Sequence, residues 1–324
     1  MITDRRGRIK RKLRLSLTDR CNFRCGYCMP ETPQWAPREQ LLARAELLRL
    51  AGLFVARLGI RQLRLTGGEP LLRTDLEDLI AELGRLRAAG LERISLTTNG
   101  VLLARRAAAL AQAGLDDLNV SLDALEPERF HALSGGRGAV EHVLEGIAAA
   151  RAAGLPLKIN TVVVRGHNDD QILPLARWAQ AQAIPLRFIE FMPLDGRGAW
   201  SHERVVPEAE ILQRLRPRFR IESLPRTPDP AAYYALDGDY RLGVISTISN
   251  PFCASCDRLR VTATGELYAC LFSSRGRDLR TPLRAGADDD ALEAIVRGHV
   301  WNKEAGYAAS GYVERPISMH ALGG

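Results

Sequence analysis

Apolar and polar residues alternate along short segments of the chain, and longer segments with helical spacing separate them. Repeated strand-then-helix units imply parallel strands. Six units are too few for a closed eight-stranded barrel, so the pattern predicts an α/β fold built on a partial (β/α)6 barrel of the TIM type, with an open doubly wound sheet as the alternative. Helices are predicted at segments such as 38–59 and 73–90. The predicted strands span residues 13–18, 61–68, 92–100, 117–123, 157–164 and 187–192.

One face of every predicted strand is polar. In the first strand, leucines alternate with Arg14, Ser16 and Thr18. Parallel strands covered by helices are normally apolar on both faces, so the polar face is predicted to look into the barrel lumen, where polar groups need partners. The pattern predicts a cavity for a polar, anionic ligand, and an antiparallel sheet with one hydrated face is the alternative. The corresponding positions of the other strands are Gln62, Arg64, Thr66, Ser95, Thr97, Asn99, Asn119, Ser121, Asp123, Lys158, Asn160, Glu190 and Met192.

Composition is that of an ordinary soluble globular protein, with 46% hydrophobic and 26% charged residues among 324. The Pro-rich segment 224–230 is the predicted linker between a barrel domain at 5–223 and a smaller C-terminal region at 224–324. The formal charge of +7 favours anionic partners, although most arginines lie in helical segments and are explained as solvated faces. The chain has neither an apolar run that spans a bilayer nor a signal region, so we expect it in the cytoplasm, without membrane contact.

Three of the six cysteines lie within the eight-residue segment CNFRCGYC. Cys21, Cys25 and Cys28 directly follow the first predicted strand, at the end where β/α enzymes place active sites. In a reducing cytoplasm, clustered cysteines are metal ligands or catalytic groups rather than disulfides. One loop with these spacings can surround a four-iron cluster, and three thiolates leave one iron free to bind a small molecule. A zinc site completed by a distant histidine is the alternative, but no histidine has a ligand-like spacing.

The other three cysteines are Cys253, Cys256 and Cys270. The segment TATG predicts a hairpin centred near residue 264, which brings Cys270 back opposite residues 257–259. The three thiols then converge and predict a second cluster with an open iron. Between them, Arg258 and Arg260 point the same way along one strand, and their guanidinium groups suit phosphate oxygens. A solvated basic strand and a zinc knuckle that lacks a ligand are the alternatives.

The first triplet, with Tyr27 before its last cysteine, resembles the signature of radical S-adenosylmethionine (SAM) enzymes. The resemblance implies that the free iron binds the amino and carboxylate groups of SAM, and that cleavage of the sulfonium releases a 5′-deoxyadenosyl radical. The segment GGEP, at 67–70, resembles the next motif of that family, in which Gly68 lets the backbone approach the amino group of SAM. By itself, such a segment is also typical of a tight strand-to-helix turn.

The second triplet, the Arg258–Leu259–Arg260 run and a chain that ends in Gly323 and Gly324 together resemble the GTP 3′,8-cyclase family, over nearly the whole chain. The resemblance implies a lyase that abstracts the C3′ hydrogen of GTP, joins C3′ to C8 and forms 3′,8-cyclo-7,8-dihydro-GTP, the first step of molybdenum cofactor biosynthesis. It implies two [4Fe–4S] clusters and SAM as cofactors, and a C-terminal tail that reaches into the active site. A radical SAM enzyme that modifies peptides is the alternative, and a zinc-bearing nucleic-acid-binding protein is a rival of another class.

The resemblance also assigns roles to individual positions. SAM contacts are expected at Tyr27, Gly68, Ser121 and Met192. GTP contacts are expected at Arg14, Arg64, Thr97, Lys158, Arg258, Leu259 and Arg260, and catalytic roles at Arg14, Arg258, Arg260, Gly323 and Gly324. Seven of these positions also belong to the polar strand faces identified above: Arg14, Arg64, Gly68, Thr97, Ser121, Lys158 and Met192. Asp257 stands where the family commonly has Asn, and its charge is expected to lower triphosphate affinity or the potential of the second cluster.

Partners follow from the same resemblance. The product is expected to pass to a cyclic pyranopterin monophosphate synthase. A flavodoxin- or ferredoxin-type protein is expected to supply electrons, and the chain is expected to form a homodimer. No nucleic-acid partner is expected.

Overall fold

A computed structural model of the chain describes residues 1–196, 198–307 and 318–323. The strands are β1 (Lys12–Ser16), β2 (Gln62–Thr66), β3 (Arg93–Thr98), β4 (Asp117–Ser121), β5 (Leu157–Val163), β6 (Leu186–Glu190), β7 (Ile221–Ser223), β8 (Ala232–Leu236), β9 (Tyr240–Ile245), β10 (Arg258–Val261), β11 (Glu266–Tyr268) and β12 (Arg277–Asp278). The helices are α1 (Arg44–Gly52), α2 (Leu76–Gly84), α3 (Leu103–Gln112), α4 (Pro127–Leu133), α5 (Val140–Ala152), α6 (Ile172–Ala181), α7 (Glu208–Leu215), α8 (Arg280–Arg284), α9 (Asp289–Trp301) and α10 (Met319–Leu322). None of the helices in these ranges is both long and apolar enough to cross a lipid bilayer.

The strands β1 to β6 are parallel neighbours in chain order, which confirms the predicted partial barrel. The sheet is open, with the order β12-β11-β10-β1-β2-β3-β4-β5-β6-β9-β8-β7. All six predicted strands are found, but most end earlier than predicted, because their last residues turn into loops at the cavity. Parallel order places their carboxyl ends at one edge, where β/α proteins bind ligands.

Strands of the C-terminal region extend this barrel on both sides. β9 pairs in parallel with β6, and β10 pairs in parallel with β1. The predicted linker at 224–230 lies in the loop between β7 and β8, yet one sheet continues across it. The division of the chain at residue 223 stays a prediction.

The apolar face of the barrel strands packs against the surrounding helices. Leu13, Leu15, Leu63 and Leu65 are fully buried in the main hydrophobic core. Burial of each such side chain contributes about 1.5–3 kcal/mol relative to exposure. Because this face is covered by helices, the polar face remains to line the lumen.

The predicted helix at 38–59 is shorter in the structure. α1 begins at Arg44 because the Glu46 carboxylate accepts a hydrogen bond from the main-chain N–H of Ala43 at 2.7 Å, which satisfies a free donor at the helix start. After Gly52 the chain continues in a wider π-type turn over Leu53–Arg57. These turns lie on the outer side of the barrel and leave the lumen unchanged.

The polar faces predicted for the first five strands do look into the lumen. Arg14, Thr66, Thr97, Ser121 and Asn160, one from each strand, line a single cavity there. In these five strands, the alternation of side chains therefore predicted correctly which residues face the lumen.

The prediction for β6 is wrong at Glu190. This side chain is fully buried away from the cavity, and its carboxylate accepts hydrogen bonds from the main-chain N–H groups of Glu208, Ile248 and Ser249. Arg187 takes the lumen face instead and donates to Asn160 Oδ1 at 2.9 Å. A buried carboxylate with enough donors is stable on either face, so polarity alone did not identify the lumen side.

Candidate active site in the barrel lumen

One cavity at the carboxyl ends of the strands is lined by all six cysteines. Cys21, Cys25 and Cys28 approach it from the loop after β1, and the second triplet approaches it from β10 and β11. The two triplets are more than 220 residues apart in the chain. The parallel pairing of β10 with β1 brings them to one chamber.

The first triplet lies in a tight, buried loop. Cys25 O accepts hydrogen bonds from the N–H groups of Cys28 and Met29 at 3.0 and 3.1 Å, and the N–H of Phe23 donates to Cys21 Sγ at 3.4 Å. Burial raises the pKa of Cys21 to about 11 and the pKa of Cys25 and Cys28 well above the ordinary value. Such thiols become thiolate ligands when a metal replaces their protons. Among the described residues, no group of three or more His, Cys, Asp or Glu is arranged around a single metal ion.

Glu69 of the GGEP segment holds this loop in place. Its buried carboxylate accepts hydrogen bonds from Thr98 Oγ1 and from the N–H of Asn99, both at 2.7 Å. Asn99 in turn donates through Nδ2 to Asn22 Oδ1 in the cysteine loop at 2.8 Å. Burial raises the pKa of Glu69 to about 7, although these donors oppose the rise. The ends of β2 and β3 are thereby joined to the first triplet.

Gly68 packs directly against the chain that leads into the first triplet. A Cβ built on Gly68 would lie 2.6 Å from the carbonyl oxygen of Asp19 and closer still to Arg20 O. The N–H of Gly68 donates to Thr18 O at 2.8 Å. The requirement for glycine therefore comes from close packing of two backbones, in addition to the expected approach to SAM.

The other positions assigned to SAM line the cavity that the two triplets share. Tyr27, Ser121 and Met192 line the same cavity as Gly68. The Tyr27 hydroxyl donates to Asp123 Oδ2 at 2.5 Å, and the N–H of Val162 donates to Asp123 Oδ1 at 2.9 Å. Burial raises the pKa of Asp123 to about 6. Asp123 therefore fixes the ring of Tyr27 at the cavity wall.

The predicted hairpin of the second triplet is confirmed. β10 and β11 are antiparallel, with Arg260 opposite Tyr268, so Cys270 lies opposite residue 258 when the register is continued. Lys303 Nζ lies 3.3 Å from Cys256 Sγ, and Arg258 Nη2 lies 3.8 Å from the same sulfur. Burial raises the pKa of Cys256, but Arg258 and Lys303 outweigh it and lower the pKa to about 6. Cations therefore surround this triplet.

A buried ionic group from the N-terminus supports the second triplet. Asp4 Oδ2 pairs with Arg8 Nε at 2.6 Å and with Lys10 Nζ at 2.7 Å. Arg8 also donates to Cys253 O at 2.9 Å, and Lys10 donates to Cys256 O at 2.9 Å. Burial raises the pKa of Asp4, but hydrogen bonds from Lys10 and Arg8 lower it overall, to about 2. One carboxylate thus organises two cations that hold the cysteine loop.

Asp4→Asn is expected to lower the free energy of unfolding by about 3–5 kcal/mol, because it leaves two buried cations without their carboxylate. The folded pKa is below the ordinary value of 3.8, so this contribution is present above pH 3.8 and is lost as the pH falls through about 2. Anaerobic denaturant titrations at several pH values test it. Asp78→Asn is the control, because Asp78 pairs with Arg44 on the surface and should cost less than about 1 kcal/mol. Equal losses in the two variants would contradict the prediction.

Three arginines share one level of the lumen. Arg14 on β1 is in register with Arg64 on β2 and with Arg260 on β10, and neighbouring strands are about 4.8 Å apart. Burial, followed by repulsion from Arg260 and Arg64, holds the pKa of Arg14 well below its ordinary value. Burial also lowers the pKa of Arg64 and Arg260 to about 10. Guanidinium groups keep their protons in proteins, so these shifts indicate buried cations that a bound anion would stabilise.

More charged groups lie toward the N-terminal ends of the strands. Arg64 Nη2 is 3.7 Å from Asp117 Oδ1, and burial and then Arg187 lower the pKa of Lys158. Asp229, from the predicted linker, is near enough to Lys158 and Arg64 to offset part of this effect. Several buried polar atoms have no hydrogen-bond partner in the described part of the chain: Arg64 Nη1, Thr66 Oγ1, Thr97 Oγ1, Asp117 Oδ1 and Asn119 Oδ1. These unpaired atoms fit a polar ligand in the lumen.

The C-terminal tail enters the cavity. Gly323 O accepts hydrogen bonds from Arg14 Nε at 3.1 Å and from Arg260 Nη1 at 3.4 Å. Gly323 has a φ of +78°, and a Cβ there would lie 2.5 Å from Thr66 Oγ1. Upstream, the N–H of His320 donates to Cys28 O at 3.3 Å. The tail thus contacts both the arginine level and the first cysteine loop, while Gly324 lies outside the described residues.

Two expectations stay predictions, and the structure adds detail to both. The side chain of Leu259 is fully buried in the hydrophobic core, in register with Leu13, so its expected contact with GTP is limited to main-chain atoms. The parity of the strand explains this, because Arg258 and Arg260 face the lumen and the residue between them faces away. Asp257 pairs with Lys12 Nζ at 3.2 Å. Its charge is therefore partly balanced beside the second triplet.

Comparison with known proteins identifies the family. The model of the radical SAM superfamily matches residues 15–179, and the model described as Molybdenum Cofactor Synthesis C matches residues 184–309. A GTP 3′,8-cyclase 2 of Mycobacterium bovis is 46% identical, over all of this chain and 92% of the relative. The chain belongs to the GTP 3′,8-cyclase family. Members from Corynebacterium glutamicum and Streptomyces coelicolor are 46% and 45% identical over all of this chain and 89% and 96% of their own lengths.

Solved structures support the radical SAM fold. Streptococcus suis SuiB bound to its precursor peptide SuiA has a TM-score of 0.62 and 13% identity, over 89% of this chain and 67% of that one. The enzyme anSMEcpe with bound AdoMet has a TM-score of 0.52 and 19% identity, over 64% and 57% of the two chains. At these identities the likeness concerns the fold, so it does not support the peptide-modifying alternative.

Membership of the radical SAM superfamily implies a [4Fe–4S] cluster and SAM. The residues present fit these groups. The thiols of the first triplet are close enough to raise one another's pKa, and they share a cavity with Tyr27 and Gly68. The buried atoms without partners continue that cavity into the lumen.

Sequence reasoning missed Arg187, Lys10 and Lys303. Arg187 was hidden by the wrong face assignment of β6. A signal for the lysines was available, because only four of the 45 Lys and Arg residues are lysines, namely Lys10, Lys12, Lys158 and Lys303. All four lie in the lumen or beside the second triplet. In a chain that uses arginine almost everywhere, an ammonium group indicates a site that needs a compact charge.

Proposed function

We propose that this chain converts GTP to 3′,8-cyclo-7,8-dihydro-GTP inside the barrel lumen, as the first step of molybdenum cofactor biosynthesis. The observation that carries the proposal is the level formed by Arg260, Arg14 and Arg64. Arg14 and Arg260 line the cavity that the two cysteine triplets share, and both donate to Gly323 O. Like charges in lateral register are unfavourable without an anion. A nucleoside triphosphate would place negative charge beside these three guanidinium groups.

The cysteines are proposed to hold two [4Fe–4S] clusters, one on Cys21, Cys25 and Cys28 and the other on Cys253, Cys256 and Cys270. When bound, the first cluster and SAM supply the 5′-deoxyadenosyl radical that takes the C3′ hydrogen of GTP. The protein positions the reactants and excludes other hydrogen donors. Tyr27, Gly68, Ser121 and Met192 are proposed to orient SAM, because all four line the cavity that also holds the first triplet.

The cations of the lumen are proposed to orient GTP. Arg14, Arg258 and Arg260 line the cavity between the triplets, and guanidinium groups bind phosphate oxygens in a fixed geometry. Lys158, Arg64 and Arg187 extend the positive charge toward the N-terminal ends of the strands and would neutralise the triphosphate. Thr97 Oγ1 is an unpaired buried hydroxyl on the same face. Through its carbonyl, Gly323 would keep Arg14 and Arg260 in a single arrangement while GTP binds.

The remaining expectations are part of the same proposal. The product would pass to a cyclic pyranopterin monophosphate synthase, and a flavodoxin- or ferredoxin-type protein would reduce the clusters. The chain would act as a homodimer, with a barrel domain over 5–223 and a C-terminal region over 224–324. Two separate family models, which match residues 15–179 and 184–309, support a two-part organisation.

Formation of 5′-deoxyadenosine tests the proposed reaction. Anaerobically reconstituted protein is expected to hold roughly eight irons per chain, as two four-iron clusters require. With SAM and a reductant, 5′-deoxyadenosine should form together with the cyclised nucleotide when GTP is present, and at a much lower rate without it. Protein that holds only zinc, or that forms 5′-deoxyadenosine equally with and without GTP, would overturn the proposal.

Arg64→Ala is expected to lower kcat/KM for GTP by about 10- to 100-fold, because one charged hydrogen bond to the triphosphate is worth about 1.5–3 kcal/mol. Iron content should be unchanged, since Arg64 contacts neither triplet. Steady-state kinetics and iron analysis measure both quantities, and Arg14→Ala should also reduce turnover with its iron intact. Arg105→Ala, on the exposed side of α3, is the matched control and should have no effect. Unchanged turnover would remove Arg64 from the GTP site.

A further inference from the structure

The two cysteine triplets differ in the kind of group that contacts their sulfurs. Carboxylates lie near the first triplet: Asp123 accepts a hydrogen bond from the hydroxyl of Tyr27, which stands between Cys25 and Cys28, and Glu69 is joined to the cysteine loop through Asn99. Arg24 is also near this loop, but its guanidinium donates to the main-chain oxygens of Cys21 and Phe23, both at 2.7 Å. The hydrogen-bond donors found at its sulfurs are neutral groups, namely the main-chain N–H groups of Phe23 and His320 and the side chains of Asn99 and Tyr27.

At the second triplet, a side-chain cation contacts a ligand sulfur. Lys303 Nζ lies 3.3 Å from Cys256 Sγ and also donates to Arg258 O at 3.3 Å. Lys303 is only 3% exposed. An ammonium group this deeply buried is costly unless an anion is close. The sulfur of Cys256 is an anionic partner within hydrogen-bond distance.

The protein holds Lys303 in this position from several sides. Arg8, itself paired with Asp4, donates to Glu304 O at 2.8 Å and to Ala305 O at 3.1 Å, directly after Lys303. Lys10 donates to Cys256 O at 2.9 Å. The main chain on either side of the contact between Lys303 and Cys256 is therefore held by the N-terminal segment. Because the ammonium group of Lys303 is held beside Cys256, its charge acts on both the oxidised and the reduced cluster without a change in its position.

Charge and hydrogen bonds to sulfur set the reduction potential of an iron–sulfur cluster. The reduced form carries one more negative charge, so a fixed cation beside a ligand sulfur stabilises it relative to the oxidised form. We propose that Lys303 tunes the second cluster, raising its reduction potential above that of the first. The inference rests on the proposed function, because it requires that Cys253, Cys256 and Cys270 hold a cluster. It assigns Lys303 a positioning role, exerted through Cys256, that the family resemblance does not include.

A redox titration of one cluster at a time tests the proposal. Full-length protein with Cys21, Cys25 and Cys28 replaced by Ala is reconstituted anaerobically and should hold roughly four irons. Electron paramagnetic resonance then measures the reduced cluster as a function of the solution potential. Three proteins are compared: the parent with Lys303 intact, the Lys303→Met variant and the Lys303→Arg variant. At a fixed potential, Lys303→Met should lower the ratio of reduced to oxidised cluster about tenfold, equivalent to about 59 mV for one electron. Lys303→Arg should stay within about twofold of the parent, because it keeps the charge.

Controls separate failure of the inference from failure of the proposed function. Absence of iron in the parent protein would refute the second cluster itself, and with it the basis of the inference. If Lys303→Met alone loses iron, Lys303→Gln replaces it, because an amide still donates to sulfur but carries no charge. Arg297→Met removes an exposed charge on α9 and should not change the potential.

Equal potentials in the parent and in the uncharged Lys303 variant would overturn the proposal. A second-cluster potential at or below that of the first cluster, measured with Cys253, Cys256 and Cys270 replaced by Ala, would also overturn it.

Discussion

Gly323→Ala is expected to lower GTP turnover by about 100-fold or more and to leave the iron content unchanged. The added Cβ would lie 2.5 Å from Thr66 Oγ1 and 3.3 Å from Ser16 Cβ, on rigid strands of the barrel. The left-handed backbone conformation at this position also raises the free energy of an alanine residue by about 1 kcal/mol or more. The tail must therefore withdraw, and Gly323 O no longer accepts from Arg14 and Arg260. Both arginines then lose the geometry in which they meet GTP.

Product formation and 5′-deoxyadenosine formation should be measured together for Gly323→Ala. If the tail positions the arginines, the ratio of product to 5′-deoxyadenosine should fall, because hydrogen abstraction and ring closure lose their alignment. Gly286→Ala is the matched control, since Gly286 also has a positive φ, of +84°, but has no atoms near the added Cβ. Wild-type turnover in Gly323→Ala, or an equal loss in Gly286→Ala, would refute the positioning role of the tail.

The second large effect is expected for Gly68→Ala at the first triplet. The new Cβ would clash with the carbonyl oxygens of Asp19 and Arg20, which belong to rigid backbone. Overpacking of this kind costs about 1–3 kcal/mol and displaces the backbone. The displaced segment leads directly into Cys21. We therefore expect iron to fall from roughly eight to roughly four per chain, with complete loss of 5′-deoxyadenosine formation.

Iron analysis and electron paramagnetic resonance of reduced Gly68→Ala distinguish which cluster is lost. The second triplet lies on other elements, so the signal of its cluster should persist. Gly84→Ala, at the end of α2, is the control, because its added Cβ would meet no atom within 4 Å. Full iron content and normal 5′-deoxyadenosine formation in Gly68→Ala would show that the loop tolerates the methyl group.

The charges of the lumen explain why the apolar core surrounds a site of this kind. Arg14, Arg64 and Arg260 are placed side by side by the register of three strands, and the leucines between them are buried against helices. Apolar packing on the outer face therefore stabilises the sheet, whereas repulsion between the arginines on the inner face destabilises it. Binding of the proposed anionic substrate would offset this repulsion.

Much of this site was predictable from local sequence. Alternation along the strands identified Arg14, Thr97 and Ser121 as lumen residues, and the turn at residue 264 predicted the hairpin that returns Cys270 to Arg258. These inferences held because they depend on side-chain parity and turn geometry, which act over a few residues. The same parity failed at β6, where Glu190 found enough main-chain donors on the outer face to be buried there.

The sequence by itself determined the parallel barrel, the two cysteine triplets and the polar face between them, because strand periodicity and ligand spacing are local properties of the chain. Tertiary structure alone decided that β10 pairs with β1, that Gly323 meets Arg14, and that Lys303 contacts Cys256. Each of these contacts joins segments that are some 50 to 300 residues apart in the chain. Their free energy depends on burial and on shared charge partners, which arise only when the whole sheet has assembled.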